Sequence, residues 1–172
     1  MLQKEIRWVE RKFDFNFSVT MYIELIHRLA KAPEKLKELT QNVPEYILKK
    51  KSDNQWSIQE NAGHLLTADD LFIGRLDDYE NGLSQLRPAD LSGKRTDIAH
   101  YNQSDLAKIL KVFRQKRKKY ISRLNSHESD FFARTAWHPR LEQPMRVCDM
   151  LYFQAEHDDH HLSKITHLIQ SQ

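Results

Sequence analysis

The sequence predicts an all-α fold, a four-helix bundle with long connections between its helices. Only 4 glycines and 5 prolines occur among 172 residues, which is few for a turn-rich β architecture. Four segments place apolar residues three and four positions apart, the spacing of an amphipathic helix. With 40% hydrophobic and 30% charged residues, the composition is that of a folded soluble protein, so residues 1–172 are expected to form one domain.

The first long helix is expected over about residues 15–31, where Val19, Ile23 and Ile26 follow helical spacing. Ala32-Pro33 is expected to interrupt it, because proline lacks the backbone N–H that a helix interior uses. Pro33 suits the first turn of a short helix that continues to about Thr40.

The second long helix has the clearest start signal in the chain. In Ser57-Ile58-Gln59-Glu60 the serine hydroxyl can accept from the Glu60 amide while the glutamate accepts from the serine amide, a capping box. This helix is expected to end near Asn81, at Gly82. Further helices are expected over about residues 104–124 and 145–169, with an extended stretch between them over about 131–144. Four such helices most simply form a bundle, whose order the long connections leave open.

Charge and composition exclude several classes of function. The formal net charge is only +3, and the basic run over residues 114–119 is interpreted as a solvated helix face, so no nucleic-acid partner is expected. No apolar run reaches the roughly 20 residues of a membrane span. Residues 1–7 lack the apolar core of a signal peptide, which predicts a cytoplasmic protein. The single cysteine, Cys148, is expected to be a small core residue.

Histidines on the last predicted helix suggest a metal site. His157 and His161 lie four residues apart, so their imidazoles project from one helix face, one turn apart. His160 is rotated by about 100° from His161 and is not expected to join them. His64, two turns into the capped helix, is the candidate third ligand, because bundle cores draw metal ligands from facing helices. Three imidazoles suit one divalent ion, zinc or nickel first, with iron, manganese or copper as alternatives.

The sequence resembles the DinB/YfiT-like superfamily. The resemblance covers about residues 15–170 and is carried by an ordered set of motifs: WSIQENAGHL at 56–65, PADL at 88–91 through Thr96, YN at 101–102, HP at 138–139 and EHDDHH at 156–161. It implies a four-helix bundle with a metal held by His64, His157 and His161. The resemblance also implies one of two kinds of activity: that of a metal-dependent hydrolase, or that of a transferase or isomerase that uses a low-molecular-weight thiol. Homodimers are common in the superfamily, so a homodimer is possible here.

Two classes of function therefore stay open. As an enzyme, the protein would use a divalent ion to activate water or a thiol for reaction with a small-molecule substrate. As a non-catalytic module, it would bind metal or take part in a stress-related interaction. A hydrolase needs a base, for which Glu60, Asp69 and Asp158 are candidates. Glu60 also has its capping role, and Asp158 could instead orient an imidazole. No catalytic residue is assigned.

Overall fold

A computed structural model describes residues 8–51 and 55–171 of the chain. The N-terminal segment 1–7, from which the absence of a signal peptide was predicted, lies outside the described residues. In chain order the helices and strands are α1 (Tyr22–Thr40), α2 (Glu45–Leu48), α3 (Ile58–Glu80), α4 (Lys94–Ile98), α5 (Leu106–Leu124), β1 (Thr135–His138), β2 (Gln143–Arg146) and α6 (Val147–Gln170). Short 3-10 turns precede α1 and flank α5.

The four long helices α1, α3, α5 and α6 form the bundle, which confirms the predicted fold class. Helix α1 packs against α5 and α6, and α3 packs against the same two helices. This places α3 beside α6 and brings the predicted histidines onto neighbouring helices. Within the described residues, none of the helices combines the length and apolar character that crossing a membrane requires.

The predicted break at Pro33 is wrong, because α1 runs without interruption through that residue. Pro33 cannot donate to the carbonyl of Leu29, four residues earlier, and leaves that acceptor without its helical partner. The Nη1 atom of Arg117, from α5, donates to this carbonyl at 2.9 Å. A neighbouring helix therefore replaces the hydrogen bond that the proline removes.

The connection between α5 and α6 contains a β-hairpin where the sequence predicted extended chain. Strands β1 and β2 are antiparallel, with His138 paired with Gln143 at the hairpin end. The Tyr79 hydroxyl of α3 donates to the carbonyl of Met145 at 2.8 Å, which ties the hairpin to the bundle. The hairpin therefore places His138 close to the space between α3 and α6.

The hydrophobic core consists of two clusters, and the predicted histidines lie where they meet. On α6, Phe153 belongs to one cluster and Leu162 to the other. On α3, Phe72 and Leu65 are divided in the same way. The interpretation of residues 114–119 as a solvated face is wrong for Arg117, which is buried in the bundle.

Candidate metal centre

The three predicted histidines come together between α3 and α6. His64 and His157 approach each other through their Nε2 atoms, which are 3.2 Å apart. One ligand nitrogen from each of His64, His157 and His161 lies within 4.8 Å of the other two. His160, which the sequence placed on another face of the helix, is not part of this group.

Hydrogen bonds fix which nitrogen of the His64 and His161 rings faces the centre. The Nδ1–H of His161 donates to Oδ1 of Asn61 at 2.9 Å, because an amide oxygen can only accept. Nδ1 of His64 lies 2.9 Å from the Thr96 hydroxyl. Both rings therefore present Nε2 to the centre. Nδ1 of His157 is buried and has no hydrogen-bond partner among the described residues.

The distances and the protonation states fit a divalent metal. Two imidazole nitrogens at about 2.0–2.1 Å from a tetrahedral zinc lie about 3.3 Å apart, close to the separation of the two Nε2 atoms. Burial, with smaller contributions from Lys164 and His160, lowers the pKa of His64 to about 4. Burial and neighbouring histidines hold the pKa values of His157 and His161 well below the ordinary value. All three rings are thus neutral near pH 7, which is the form that binds metal.

The position of Thr96 depends on a close approach of the α3–α5 connection to α3. A Cβ atom at Gly63 would lie 2.2 Å from the ring of Tyr101, so no other residue fits there without displacing that ring. The Tyr101 hydroxyl also pairs with Thr67 at 2.7 Å. Nε1 of Trp56, just before α3, donates to Asp97 of α4 at 2.9 Å. These contacts hold α4 against α3 and keep the Thr96 hydroxyl at the His64 ring.

The candidate bases do not join the histidines. Glu60 forms the predicted capping box, accepting from the Ser57 amide at 2.9 Å, and its other oxygen pairs with Lys51. Asp69 and Asp158 both bind the buried guanidinium of Arg117 at 2.6 Å. Within the described residues, no carboxylate shares the three-histidine group.

The histidines open into a cavity of about 490 Å³ between α3, α6 and the connections. Aromatic rings form much of its wall. The Trp56 ring lies 4.6 Å from that of His64, and the Trp8 ring lies 5.1 Å from that of His157, centroid to centroid. Such a space suits a small molecule that presents one end to the histidine cluster.

Several residues of the histidine site and of the cavity wall were not predicted from the sequence. Asn61 lies one helical turn before His64, and a search for hydrogen-bond partners of the proposed ligands could have found it. Arg75 follows His64 by eleven residues, about three turns, which places both on one face of α3. His138 entered the sequence argument only through the HP motif. Trp8 and Arg140 carry no local signal, since their place in the cavity wall depends on how distant segments pack.

The fold and the site define the class of protein, a four-helix bundle with a buried histidine cluster suited to a metal ion. Residues 28–165 match the sequence profile of the DinB superfamily, and the chain belongs to that superfamily. A comparison with curated proteins gives no match.

Solved structures show the same fold at low sequence identity. YfiT from Bacillus subtilis superposes with a TM-score of 0.81 at 19% identity, over 94% of this chain and 93% of YfiT. That protein is described as a probable metal-dependent hydrolase with an unusual four-helix bundle topology. An uncharacterized protein from Clostridium difficile 630 gives a TM-score of 0.68 at 16% identity, covering 87% of this chain and 95% of its own. A Streptococcus pneumoniae protein gives 0.66 at 15% identity, covering 93% of both chains.

Proposed function

We propose that this protein is a metal-dependent hydrolase of small molecules, with one divalent ion held by His64, His157 and His161. The observation that carries the proposal is the convergence of three neutral imidazoles from two helices at the inner wall of a cavity. The description of YfiT as a probable metal-dependent hydrolase supports it. Zinc or nickel is the expected ion, because three imidazoles suit both metals.

A divalent ion held there would supply Lewis acidity at the end of the cavity. The chain's own residues supply orientation and shielding. Asn61 and Thr96 fix the rings of His161 and His64, so that two of the three ligands are set before a metal arrives. The indole rings of Trp8 and Trp56 cover the histidines and limit the access of water from the cavity.

Transfer of an external thiol is the rival reaction for the same site. Cys148 cannot supply the thiol, because its side chain is fully buried and burial raises its pKa to about 12. A transferase would therefore need a low-molecular-weight thiol as a second substrate. A non-catalytic module would bind metal without turning over any substrate.

The first experiment measures metal content in protein purified without an affinity tag or chelator. We expect one equivalent of a divalent metal in the wild type and its loss in His64→Ala, His157→Ala and His161→Ala. His167→Ala is the matched control, because that histidine is exposed on the same helix. Asn61→Ala should weaken metal binding by about 10–100-fold, since the ring of His161 loses its orienting partner. Equal metal content in all variants would refute the site.

The second experiment separates the reactions. Metal-loaded protein is tested on ester and amide substrates with and without added thiols such as cysteine or glutathione. A hydrolase turns over substrate at a rate independent of thiol, and His157→Ala abolishes it. A rate that saturates with thiol would establish a transferase, and retained metal without turnover of any substrate would favour the non-catalytic module.

A further inference from the structure

The cavity contains a second group of side chains, away from the histidine cluster, whose hydrogen-bonding capacity is unused. Arg75 on α3 is 1% exposed. Its Nε atom donates to the carbonyl of Arg87 at 3.3 Å, but Nη1 and Nη2 have no partner among the described residues. The nearby carboxylate of Asp78 is taken by Arg87, which binds it through the side chain at 2.7 Å and through its amide at 2.8 Å.

His138 adds a second unused donor to this part of the wall. Its Nδ1 accepts from the Leu141 amide at 3.1 Å, so the neutral ring carries its proton on Nε2. Nε2 is buried and finds no partner within the described chain. The side chain is 1% exposed, so water does not reach this N–H freely.

Arg140, in the loop between β1 and β2, supplies a third unused hydrogen-bond donor. Its Nη1 atom donates to the carbonyl of Val9 at 3.0 Å, and its guanidinium lies 5.4 Å from the centre of the Phe153 ring. Nη2 is buried without a partner in the part of the chain that the structure describes. Arg75, His138 and Arg140 all line the cavity that holds the histidine cluster. We call the three side chains the inner cationic group, after the two arginines, since His138 itself is neutral.

The arginines of the inner cationic group make no direct ion pair with a carboxylate in the described residues, and the Asp78 carboxylate, which acts on Arg75 from a distance, is already bound by Arg87. The acidic residue among those lining the cavity, Asp90, is exposed to solvent. Burial, followed by the charges of Arg75 and Arg140, lowers the pKa of His138 to about 3. Burial lowers the pKa of Arg75 to about 10. Buried guanidinium groups are normally paired, so donors left in this state point to an anion that binds between them.

We propose that Arg75, Arg140 and the Nε2–H of His138 bind an oxyanion group of the substrate. The inference rests on the proposed function and names its substrate class, a small molecule with a carboxylate or phosphate at one end and the reacting group at the other. Guanidinium forks match both oxyanions, and an N–H from a neutral imidazole adds a third donor.

Aromatic rings separate the two ends of the cavity and define the middle of the substrate. The Phe153 ring lies 5.5 Å from the His138 ring. Trp8 bridges from Phe153 to His157, with centroid distances of 5.1 Å to each ring. The segment between the oxyanion and the reacting group is therefore apolar and short, as a cavity of about 490 Å³ requires.

The test titrates the full chain with butyrate, with inorganic phosphate and with uncharged butyramide, and follows binding by calorimetry and by the side-chain N–H signals of arginine. Each titration is done on metal-loaded protein and repeated after chelation, because an anion bound at the metal disappears with the metal. We expect saturable binding of at least one anion in both forms and none of butyramide. Preference for butyrate or phosphate then identifies the carboxylate or the phosphate class.

Substitutions of the two arginines test whether the anion binds at the inner cationic group. Arg75→Met and Arg140→Met should each weaken the binding by about tenfold or more, since a buried charge-assisted hydrogen bond is lost. The matched control is Arg95→Gln, because Arg95 lines the same cavity but is 55% exposed and faces Asp70. It should change the affinity by less than about threefold, as a screened surface charge.

The proposal is overturned if neither anion binds saturably to the chelated protein, or if both methionine variants bind as the wild type does. If Arg75→Met does not fold, Arg140→Met and the shift of the Arg75 side-chain signal in the wild type decide the question. Metal content measured on the same samples separates this proposal from the proposed function. Anion binding to a protein that never holds metal would support the oxyanion site and remove the metal-dependent reaction.

Discussion

Two buried arginines on the bundle helices differ in whether their charge is paired. Arg117 on α5 and Arg75 on α3 are each 1% exposed. Arg117 donates to Asp69, to Asp158 and to the carbonyl of Leu29, so that its Nε, Nη1 and Nη2 atoms all have partners. Arg75 makes one hydrogen bond, to the carbonyl of Arg87, and its two terminal nitrogens have none within the described residues.

The pKa values of the two arginines reflect the same contrast. Burial alone would lower the pKa of Arg117, but the carboxylates of Asp158 and Asp69 raise it above its ordinary value. For Arg75, burial dominates, and the pKa falls to about 10. Removing one member of a buried, paired charge cluster destabilises a fold, because the remaining charges are left without partners. A buried charge that lacks them is better explained by a ligand, and Arg75 lies in the cavity wall where one could bind.

The largest expected effect on stability is that of replacing Arg117. Arg117→Met should lower the free energy of unfolding by about 3–5 kcal/mol, because it leaves two carboxylates buried without their counter-charge. Urea denaturation of the metal-free protein at pH 7.5 measures the loss. A change below about 1 kcal/mol would show that the Arg117 cluster contributes little to stability, and Arg117 would then not differ from Arg75 in its structural role.

Asp158→Asn should have the next largest effect, a loss of about 1–3 kcal/mol, since Asp69 still neutralises Arg117 while one charged hydrogen-bond partner is lost. Metal content should stay at the wild-type level, because Asp158 binds Arg117 and does not join the three histidines. Loss of metal with the fold intact would assign Asp158 a role in holding the ion.

A pH titration of stability tests the inner cationic group through His138. Its pKa in the folded protein is about 3, against an ordinary value of 6.5. As the pH falls below 6.5, the unfolded chain takes up the proton first, so folding becomes less favourable down to about pH 3. Relative to His138→Asn, metal-free wild type should therefore lose roughly 1–2 kcal/mol between pH 7.5 and pH 5.

Unfolding curves of the two proteins in anion-poor buffer give this difference directly. Equal pH dependence would mean that the His138 imidazole can be protonated in the folded state. Its Nε2–H would then lie in a more polar environment than the structure indicates.

The smallest effect on stability is expected for Arg75→Met, a loss of less than about 1 kcal/mol or a gain, because no buried carboxylate is left unpaired. The same urea denaturation as for Arg117→Met applies, and the two values are compared at one pH. A loss as large as that of Arg117→Met would show that Arg75 has a structural role, and the contrast between the two arginines would disappear.

Much of the fold was predictable because it depends on local patterns. The capping box at Ser57 sets the start of α3 as expected, since its two hydrogen bonds join residues three positions apart. Helix α5 ends at the predicted Leu124, and α6 ends one residue beyond the predicted Ile169. The grouping of His157 with His161 follows in the same way from helical spacing.

The sequence-based errors have a common cause, which is a contact between distant segments. Pro33 breaks an isolated helix, but Arg117 replaces the missing hydrogen bond from another helix. The basic run was interpreted as solvated because spacing alone does not show that Asp69 and Asp158 lie opposite Arg117. The candidate bases Asp69 and Asp158 are kept from the histidines by the same cluster.

The sequence by itself determined the helices, their capping and the two-histidine face of α6, because these depend on hydrogen bonds and side-chain spacing within a few residues. The position of His64 in the capped helix, together with the superfamily motifs, added it as the expected third ligand from another helix. Only the tertiary structure decided that α3 lies beside α6 and that Thr96 and Asn61 orient the rings. It also decided that Arg75, His138 and Arg140 lie in one cavity wall and that, among the described residues, neither arginine is ion-paired. Those features depend on which distant side chains meet, and in a bundle with long connections the packing of the core selects among the possible orders of the helices.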